Sequence, residues 1–303
     1  MIKKIQSDGY EIQVGDLLKS SFDHFLNEEY QKAKKVIVVD ENTHEHCLSY
    51  LTTNFKSLNG AEIILIPDGE ENKVMEICVQ VWEAFMKYDI NRNDLVINLG
   101  GGMITDIGGF IASVYKRGVD FINIPTSLLG MVDASTGGKT GIDFNGYKNL
   151  IGTFTNPVLV VVDPIFLKTL PDVDFISGKA EVLKHGIITS RAHWNTIKTI
   201  TPTSITEDDI LHSIEIKNNL VLKDCKEKNI RKKLNTGHTI GHALESFLLL
   251  REKESHGVCV AWGLLTEAYL SLQVFFSLVT MGTWSIFWIR PAIRISAKTH
   301  IGR

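Results

Sequence analysis

Three histidines in the last third of the sequence carry its clearest chemical signal. His238 and His242 are four residues apart, so on a helix both imidazoles lie on one side. His256 follows 14 residues later, directly before Gly257. Neutral imidazole is the usual nitrogen ligand of zinc, and His-x-x-x-His spacing offers two such ligands. The pattern therefore predicts a divalent-metal site, and it leaves open which of the three histidines are ligands.

One acidic and several basic residues could complete such a site. Glu181 and Lys184 are one helical turn apart, so both side chains can point into a common site, although a surface ion pair has the same spacing. Further cations stand in the same segments and in the half of the chain before them: Lys139, Lys148, Lys217 and Arg231. Together they suit a substrate with both phosphate and carboxylate groups, because arginine bonds bidentately and lysine supplies a point charge.

A glycine triplet offers a place for phosphate groups. Gly100, Gly101 and Gly102 follow an apolar run and precede a helix-like stretch over residues 103–115. Backbone N–H groups at a helix N-terminus can hold a pyrophosphate, and glycine permits the close approach. The triplet departs from the G-x-G-x-x-G fingerprint, and a plain tight turn would look the same. Asp40, at the end of an earlier apolar run, could bind the ribose of a dinucleotide.

The elements that must position these residues follow from hydrophobic periodicity. Short β-branched runs predict strands over residues 36–39, 63–66, 95–99, 121–124 and 158–162, with a helix over 75–87 between the second and third. Alternation of this kind predicts a Rossmann-like parallel sheet covered on both faces. After about residue 165, the stretches 177–188, 208–226 and 239–250 read as long helices. We predict an α/β domain over residues 1–164 and an all-α domain over 165–303, with the site in the cleft between them.

The composition excludes some classes of partner. A net charge of −3 gives no basic face for nucleic acid. The four cysteines show no C-x-x-C spacing, and no apolar segment follows the N-terminal lysines, so we expect a cytoplasmic protein with free thiols. Residues 268–289 carry no charge, but several polar residues dilute this stretch, and we expect no membrane span.

A series of motifs in fixed order resembles the 3-dehydroquinate synthase family. They lie at residues 100–110 (GGGMITDIGGF), 115–118, 125–129, 132–143 (VDASTGGKTGID), 148–152, 181–186 (EVLKHG), 234–245 (LNTGHTIGHALE) and 256–257. The resemblance covers about residues 36 to 271. It stops after about Leu272, and the chain ends several dozen residues earlier than is usual, so the family's late helices are expected to be missing from an atypical tail over 272–303.

The resemblance assigns roles residue by residue. It implies that the metal ligands are Glu181, His238 and His256, which makes His242 a site residue and not a ligand. It implies that NAD is bound by Asp40, Asn42, Glu70, Lys73, Gly101, Gly102, Asp106, Thr126, Ser127 and Lys148. It implies a substrate pocket formed by Asp133, Lys139, Asn149, Lys184, Lys217, Arg231, Asn235 and His242. Arg117 matches an arginine that reaches the neighbouring subunit's substrate phosphate, which implies a homodimer.

The family's reaction is the cyclisation of 3-deoxy-D-arabino-heptulosonate 7-phosphate to 3-dehydroquinate with release of phosphate, in the shikimate pathway. The resemblance implies NAD and one divalent metal, zinc or cobalt, as cofactors. Three alternatives remain open: another sugar-phosphate cyclase acting on a substrate without a carboxylate, a metal-dependent polyol dehydrogenase of related architecture, and an inactive truncated remnant. Arg231 argues against the first, because a carboxylate clamp would then have no purpose.

Overall fold

The computed structural model describes residues 2–248 and 254–276. Its centre is a seven-stranded sheet in the order β1-β2-β9-β6-β5-β3-β4. The strands of this sheet are β1 (Lys3–Gln6), β2 (Glu11–Val14), β3 (Lys35–Asp40), β4 (Glu62–Ile66), β5 (Leu95–Gly100), β6 (Asp120–Pro125) and β9 (Leu159–Val162). All neighbouring pairs are parallel except β1 with β2. The carboxyl ends of the parallel strands therefore meet at one edge, where ligands bind in open α/β sheets.

Both faces of the sheet are covered by apolar side chains. Along β3, Val36 and Val38 face a core shared with the helices that follow β4 and β5, while Ile37 and Val39 face a second core on the opposite side. This alternation follows from the two-residue period of a strand. A strand buried on both faces has no need for polar residues, which explains its continuous run of valine and isoleucine.

A two-stranded hairpin forms a second, separate sheet. It pairs β7 (Lys139–Phe144) with β8 (Tyr147–Phe154) in antiparallel register. The turn at Asn145 and Gly146 has positive φ at both residues, 51° and 79°, as tight hairpin turns require. The hairpin carries Lys139 near one end and Lys148 and Asn149 just after the turn, so its position decides where these side chains lie.

Helices fill the rest of the described chain. They are α1 (Phe22–Glu29), α2 (Glu41–Thr43), α3 (Ser49–Asn54), α4 (Met75–Lys87), α5 (Gly102–Val114), α6 (Asp172–Thr189), α7 (Arg191–Ile197), α8 (Glu207–Lys223), α9 (His238–Leu248) and α10 (His256–Phe276). From α6 onwards the described chain contains no strand. The expected α/β half followed by a helical half is confirmed, while the domain boundary at residue 164 stays a prediction.

Glycine allows three helices of the second half to pack closely. A Cβ on Gly257 of α10 would lie 2.0 Å from the carbonyl oxygen of Ser177 on α6. A Cβ on Gly263 would lie 1.9 Å from the carbonyl oxygen of Gly237, at the start of α9. Real Cβ atoms cannot approach backbone so closely, so these positions demand glycine. This contact brings α6, α9 and α10 together, and each of them carries a predicted metal ligand.

The predicted strands and helices are confirmed to within a few residues, apart from three features. These are the antiparallel pair β1–β2 and the hairpin, which were not anticipated, and α6, which begins at Asp172, five residues before the predicted start at 177. Helices α1, α3, α7 and α10 were not predicted either. None of the helices in the described segments is long and apolar enough to cross a bilayer. The predicted atypical tail falls mostly outside the described residues, which reach 276.

Candidate active site

A single cleft collects nearly all the residues that the sequence singled out. It lies between the carboxyl ends of the parallel strands, the hairpin, and helices α6, α9 and α10. Every predicted site residue lines it except Glu181 and Arg117. Glu181 is completely buried behind the cleft wall, and Arg117 lies elsewhere, beside Asn91 and Arg92.

The three histidines converge on one point of this cleft. His238, His242 and His256 each offer a ring nitrogen, and these atoms lie within 4.8 Å of one another. His238 and His242 are one turn apart on α9, with ring centroids 5.1 Å apart, and His256 at the start of α10 lies 5.5 Å from both. Burial lowers the pKa of His238 to about 4 and also lowers that of His242. Both imidazoles are therefore neutral near pH 7 and can act as ligands or accept protons.

Glu181 meets this group from α6. Its Oε1 lies 3.7 Å from Nε2 of His238. Lys184, one turn later, forms an ion pair with Glu181, so the two side chains do share a site. Burial would raise the pKa of Glu181, but the charge and hydrogen bond of Lys184 together with His238 lower the pKa below its ordinary value. Glu181 is therefore a carboxylate at neutral pH.

These groups fit a divalent cation. Oε1 of Glu181 is buried and accepts no hydrogen bond from the residues that the structure describes, while Oε2 contacts the ammonium group of Lys184. Nδ1 of His238 lies 3.4 Å from the carbonyl oxygen of Thr236, which places the ring proton on Nδ1 and a lone pair on Nε2. That lone pair and the Glu181 carboxylate oxygen then face each other without a proton between them. Such an arrangement is repulsive until a cation lies between the two atoms.

The glycine triplet fits a dinucleotide. Gly101 precedes the first turn of α5, and Gly102 begins the helix at the edge of the cleft. A Cβ on Gly101 would lie 3.2 Å from Oγ of Ser127, and one on Gly102 would lie 3.3 Å from Cβ of Ala134. Side chains at these positions would therefore crowd their neighbours, and the two glycines leave the backbone of the helix N-terminus facing the cleft, as pyrophosphate binding requires. Asp40 caps α2 through its bond with the Thr43 N–H, at 2.7 Å.

A buried lysine ties the predicted NAD residues together. Nζ of Lys73 donates to Oδ2 of Asp106 at 2.6 Å and to Oδ1 of Asn149 at 2.7 Å, and it lies 3.5 Å from Oε1 of Glu70. Burial alone would lower the pKa of Lys73, but Asp106 and Glu70 raise it well above its ordinary value. One charged group thus joins the loop before α4, helix α5 and the hairpin.

Also in the cleft, Asp133 pairs with Lys217 of α8. The Lys217 Nζ to Asp133 Oδ1 distance is 2.6 Å, and the same amine contacts the Asp133 carbonyl oxygen. Burial would raise the pKa of Asp133, yet Lys217 and Lys184 hold it well below its usual range. Fixed charges of both signs therefore surround the part of the cleft next to the histidines.

The Arg231 side chain is buried and fixed by hydrogen bonds to the backbone, whereas a side chain that only binds an anion would have its donors free. It is 1% exposed, and its Nη1 and Nη2 donate to the carbonyl oxygens of Cys225 and Gly137 at 2.7 and 2.9 Å. Its Nε finds no acceptor among the described residues. The terminal nitrogens on which a bidentate clamp depends are thus already engaged in part. Its role with a carboxylate stays a prediction.

Two glutamates that form ion pairs with lysines of the cleft were not singled out from the sequence. Glu227 forms an ion pair with Lys139, and it stands in a loop at a φ of 53°. Glu245 of α9 bonds both His256 and Lys148, at 3.0 and 2.7 Å. Glu245 follows His238 by seven residues, which places it on the same helix face, so spacing could have identified it. No periodic signal points to Glu227.

Comparison with known proteins bears on this arrangement. The family model for the 3-dehydroquinate synthase N-terminal region matches residues 63–177, and that for the C-terminal region matches residues 178–285. The second match extends past Leu272, where the sequence resemblance had been expected to stop, so that boundary was wrong. The 3-dehydroquinate synthase of Parabacteroides distasonis is 42% identical over 259 residues, covering 84% of this chain and 73% of the relative. That of Pyrococcus furiosus is 43% identical over 238 residues, covering 78% and 70%.

Solved structures share the fold. A 2-epi-5-epi-valiolone synthase from Streptomyces hygroscopicus with NAD+ and Zn2+ bound is 25% identical, with a TM-score of 0.76, over 96% of this chain and 87% of the other. A 2-deoxy-scyllo-inosose synthase complexed with carbaglucose-6-phosphate, NAD+ and Co2+ is 22% identical, with a TM-score of 0.77, over 90% and 78%. Both family models and the curated relatives agree with the motifs and the cleft: the chain belongs to the 3-dehydroquinate synthase family.

Proposed function

We propose that this chain is a carbon–oxygen lyase that converts 3-deoxy-D-arabino-heptulosonate 7-phosphate to 3-dehydroquinate and phosphate. NAD acts as a recycled catalyst, and a zinc or cobalt ion is held by Glu181, His238 and His256. The observation that supports this most is the buried Oε1 of Glu181, which accepts no hydrogen bond from the described residues and faces the His238 lone pair. This pair borders the same cleft as the glycine triplet, so cation and dinucleotide sites are neighbours.

When bound, NAD accepts and returns one hydride, and the divalent ion lowers the cost of forming an alkoxide on the substrate. The chain's own residues bind, orient and neutralise. Lys139 and Lys184 are placed to neutralise the charge of the leaving phosphate and the Asn149 amide to donate hydrogen bonds to it, because all three line the cleft. Lys73 fixes the orientation of Asn149 through the 2.7 Å bond to its Oδ1, which leaves the Nδ2 donors free for an anion.

Proton transfer is assigned to His242 and Asn235. Both line the cleft, and His242 lies beside the proposed ligands without being one of them. Since burial lowers the pKa of His242, its ring is neutral at pH 7 and can accept a proton at one nitrogen. Asn235, at the end of the turn before α9, can hold a substrate hydroxyl through its amide.

Arg117 completes the site from a second subunit in this proposal. It lies outside the cleft of its own chain, at a φ of 68°, in a turn that also places Lys116 at a φ of 48°. Non-glycine residues rarely adopt this conformation, and two in succession suggest that the turn is built to present a side chain. The protein is accordingly expected to act as a homodimer. We place it in the cytoplasm, as its free thiols suggest.

Product analysis with three substrates tests the proposal. Purified protein with NAD+ and Zn2+ or Co2+ should release phosphate from the heptulosonate phosphate and form 3-dehydroquinate in equal amount, without accumulating NADH. Arg231→Lys should raise KM for this substrate. Equal turnover of an analogue without the carboxylate would indicate a different sugar-phosphate cyclase, and NADH formed in proportion to a polyol substrate would indicate a dehydrogenase.

A further inference from the structure

We infer that Glu245 is a positioning residue that fixes the orientation of His256 and couples the proposed metal site to the dinucleotide side of the cleft. This inference rests on the proposed function, in which His256 is a metal ligand. Glu245 is 4% exposed, so its carboxylate is withdrawn from solvent. Its two oxygens have different partners: Oε2 lies 3.0 Å from Nδ1 of His256, and Oε1 lies 2.7 Å from Nζ of Lys148.

The contact between Glu245 and His256 sets the tautomer of the imidazole ring. A carboxylate can only accept a hydrogen bond, so Nδ1 of His256 must carry the proton. The lone pair of the neutral ring then lies on Nε2, the other side of the ring, and is available to a cation. Carboxylates that bond a ligating histidine in this way hold the ring and strengthen it as a ligand, and their removal typically costs 10- to 100-fold in metal affinity.

The second contact crosses the cleft. Lys148 belongs to the hairpin strand β8, whereas Glu245 belongs to α9. Lys148 also lies 3.6 Å from Oε1 of Glu70, and that same oxygen lies 3.5 Å from Nζ of Lys73. A continuous set of charged contacts therefore joins His256 to the loops predicted to bind NAD. One carboxylate cannot shift to favour His256 without changing its hold on Lys148.

This arrangement predicts that the two cofactors assist each other. When NAD orders the hairpin and the Glu70 loop, Lys148 is held in place, and Glu245 is then oriented towards His256 before the cation arrives. Coupling of this kind is reciprocal and ranges from about 5- to 150-fold in affinity. We expect NAD+ to tighten zinc binding by about fivefold or more. Lys148→Met should remove this enhancement even at an NAD+ concentration that saturates the variant, which separates lost coupling from lost NAD binding.

Zinc affinity of the metal-free protein, measured by competition with a chromophoric chelator with and without NAD+, tests the inference. Glu245→Ala should weaken zinc binding by about 10- to 100-fold. Glu245→Gln should weaken it less, because the amide oxygen still accepts the proton of Nδ1. Glu83→Gln is the matched control: it removes an exposed carboxylate on α4, outside the lining of the cleft, and should leave zinc affinity unchanged.

The outcomes separate this inference from the proposed function. Wild-type protein that binds no zinc, or Glu181→Gln protein that binds zinc as wild type does, would overturn the proposed metal site and this inference with it. Zinc binding lost in Glu181→Gln but unchanged in both Glu245 variants would overturn the inference alone. Circular dichroism of the metal-free variants checks their folding. If Glu245→Ala does not fold, the zinc affinity of the isosteric Glu245→Gln variant tests the inference in its place.

Discussion

Lys73 offers a test of how the cofactor side of the cleft is held together. It is 2% exposed, and its ammonium group donates to Asp106 and Asn149 at 2.6 and 2.7 Å. Glu70 lies 3.5 Å away. Replacing Lys73 with methionine keeps most of the side-chain volume and removes the charge, so packing changes little. The change in the free energy of unfolding then reports the electrostatic contribution of the Lys73 ammonium group.

The expected loss follows from the carboxylates left behind. Removing one partner of a buried ion pair costs about 3–5 kcal/mol, because the other charge stays buried without compensation. The Asp106 side chain is still 21% exposed, so solvent screens part of its unpaired charge and reduces that cost. We therefore expect Lys73→Met to lower the free energy of unfolding by about 2–3 kcal/mol. Adding Asp106→Asn removes the stranded charge, and the double variant should recover to within about 1 kcal/mol of wild type.

The pH dependence has a definite sign. Burial already raises the pKa of Asp106 above its ordinary value, despite Lys73, and loss of Lys73 should raise it further. The folded protein then holds a proton that the unfolded chain has released, so stability falls as pH rises through the raised pKa. The deficit of Lys73→Met should therefore be larger at about pH 8 than at about pH 5.

Urea unfolding followed by circular dichroism at both pH values measures these differences. Lys35→Met is a control, because Lys35 is also buried but, within the described chain, its amine donates hydrogen bonds to the backbone carbonyls of Tyr30 and Ala33 and to no carboxylate. The loss of stability caused by Lys35→Met should be no smaller at about pH 5 than at about pH 8. A Lys73→Met deficit below about 0.5 kcal/mol at both pH values would refute the reasoning, and so would a double variant no more stable than the single one.

Three further predictions follow from other parts of the structure. Gly257→Ala places a Cβ 2.0 Å from a backbone carbonyl of α6, so it should cost about 1–3 kcal/mol in urea unfolding and weaken zinc binding; an unchanged variant would contradict the close packing. Arg117→Ala and Lys217→Ala proteins, each inactive, should regain about a quarter of wild-type activity when dissociated and mixed equally, since half of the dimers are mixed and each has one intact site. No regain would place Arg117 in its own subunit's site. Burial lowers the pKa of His185 to about 3 and of His193 to about 4, whereas the unfolded chain binds these protons near pH 6.5. Stability should thus fall as pH drops from about 6.5 towards 4, by up to about 1.4 kcal/mol per pH unit for each imidazole, and a flat profile there would contradict it.

The main sheet was predictable because its strands are buried on both faces. Their continuous runs of valine and isoleucine are short and bounded by polar residues, which leaves little room for another reading. Strand β8 gives no such signal, since Tyr147, Leu150 and Phe154 are exposed apolar residues on a hairpin. Strands β1 and β2 are short and rich in charged and amide residues, so neither forms an apolar run. Elements of this kind form through tertiary contacts, which periodicity does not record.

The metal site could be anticipated from residue types and helical spacing. His238 and His242 lie one turn apart on α9, and Glu181 and Lys184 lie one turn apart on α6, as predicted. That α6 and α9 would meet at Glu181 and His238 was not contained in the spacing of either helix. The meeting of the two helices depends on the glycine contacts of α10. The assignment of Glu181 and His238 to one metal site was implied by the family resemblance. Glu227 could not be found at all, because only the folded loop brings it to Lys139.

Counting product formed per NAD tests the central claim most directly. The wild-type protein, stripped of nucleotide, supplied with Zn2+ and one equivalent of NAD+ per site, is given a large excess of 3-deoxy-D-arabino-heptulosonate 7-phosphate. If NAD is recycled within the cleft, each site should form many equivalents of 3-dehydroquinate, with phosphate in equal amount and no net NADH. Product that stops at one equivalent per NAD with NADH left behind, or no phosphate release at all, would contradict the assignment.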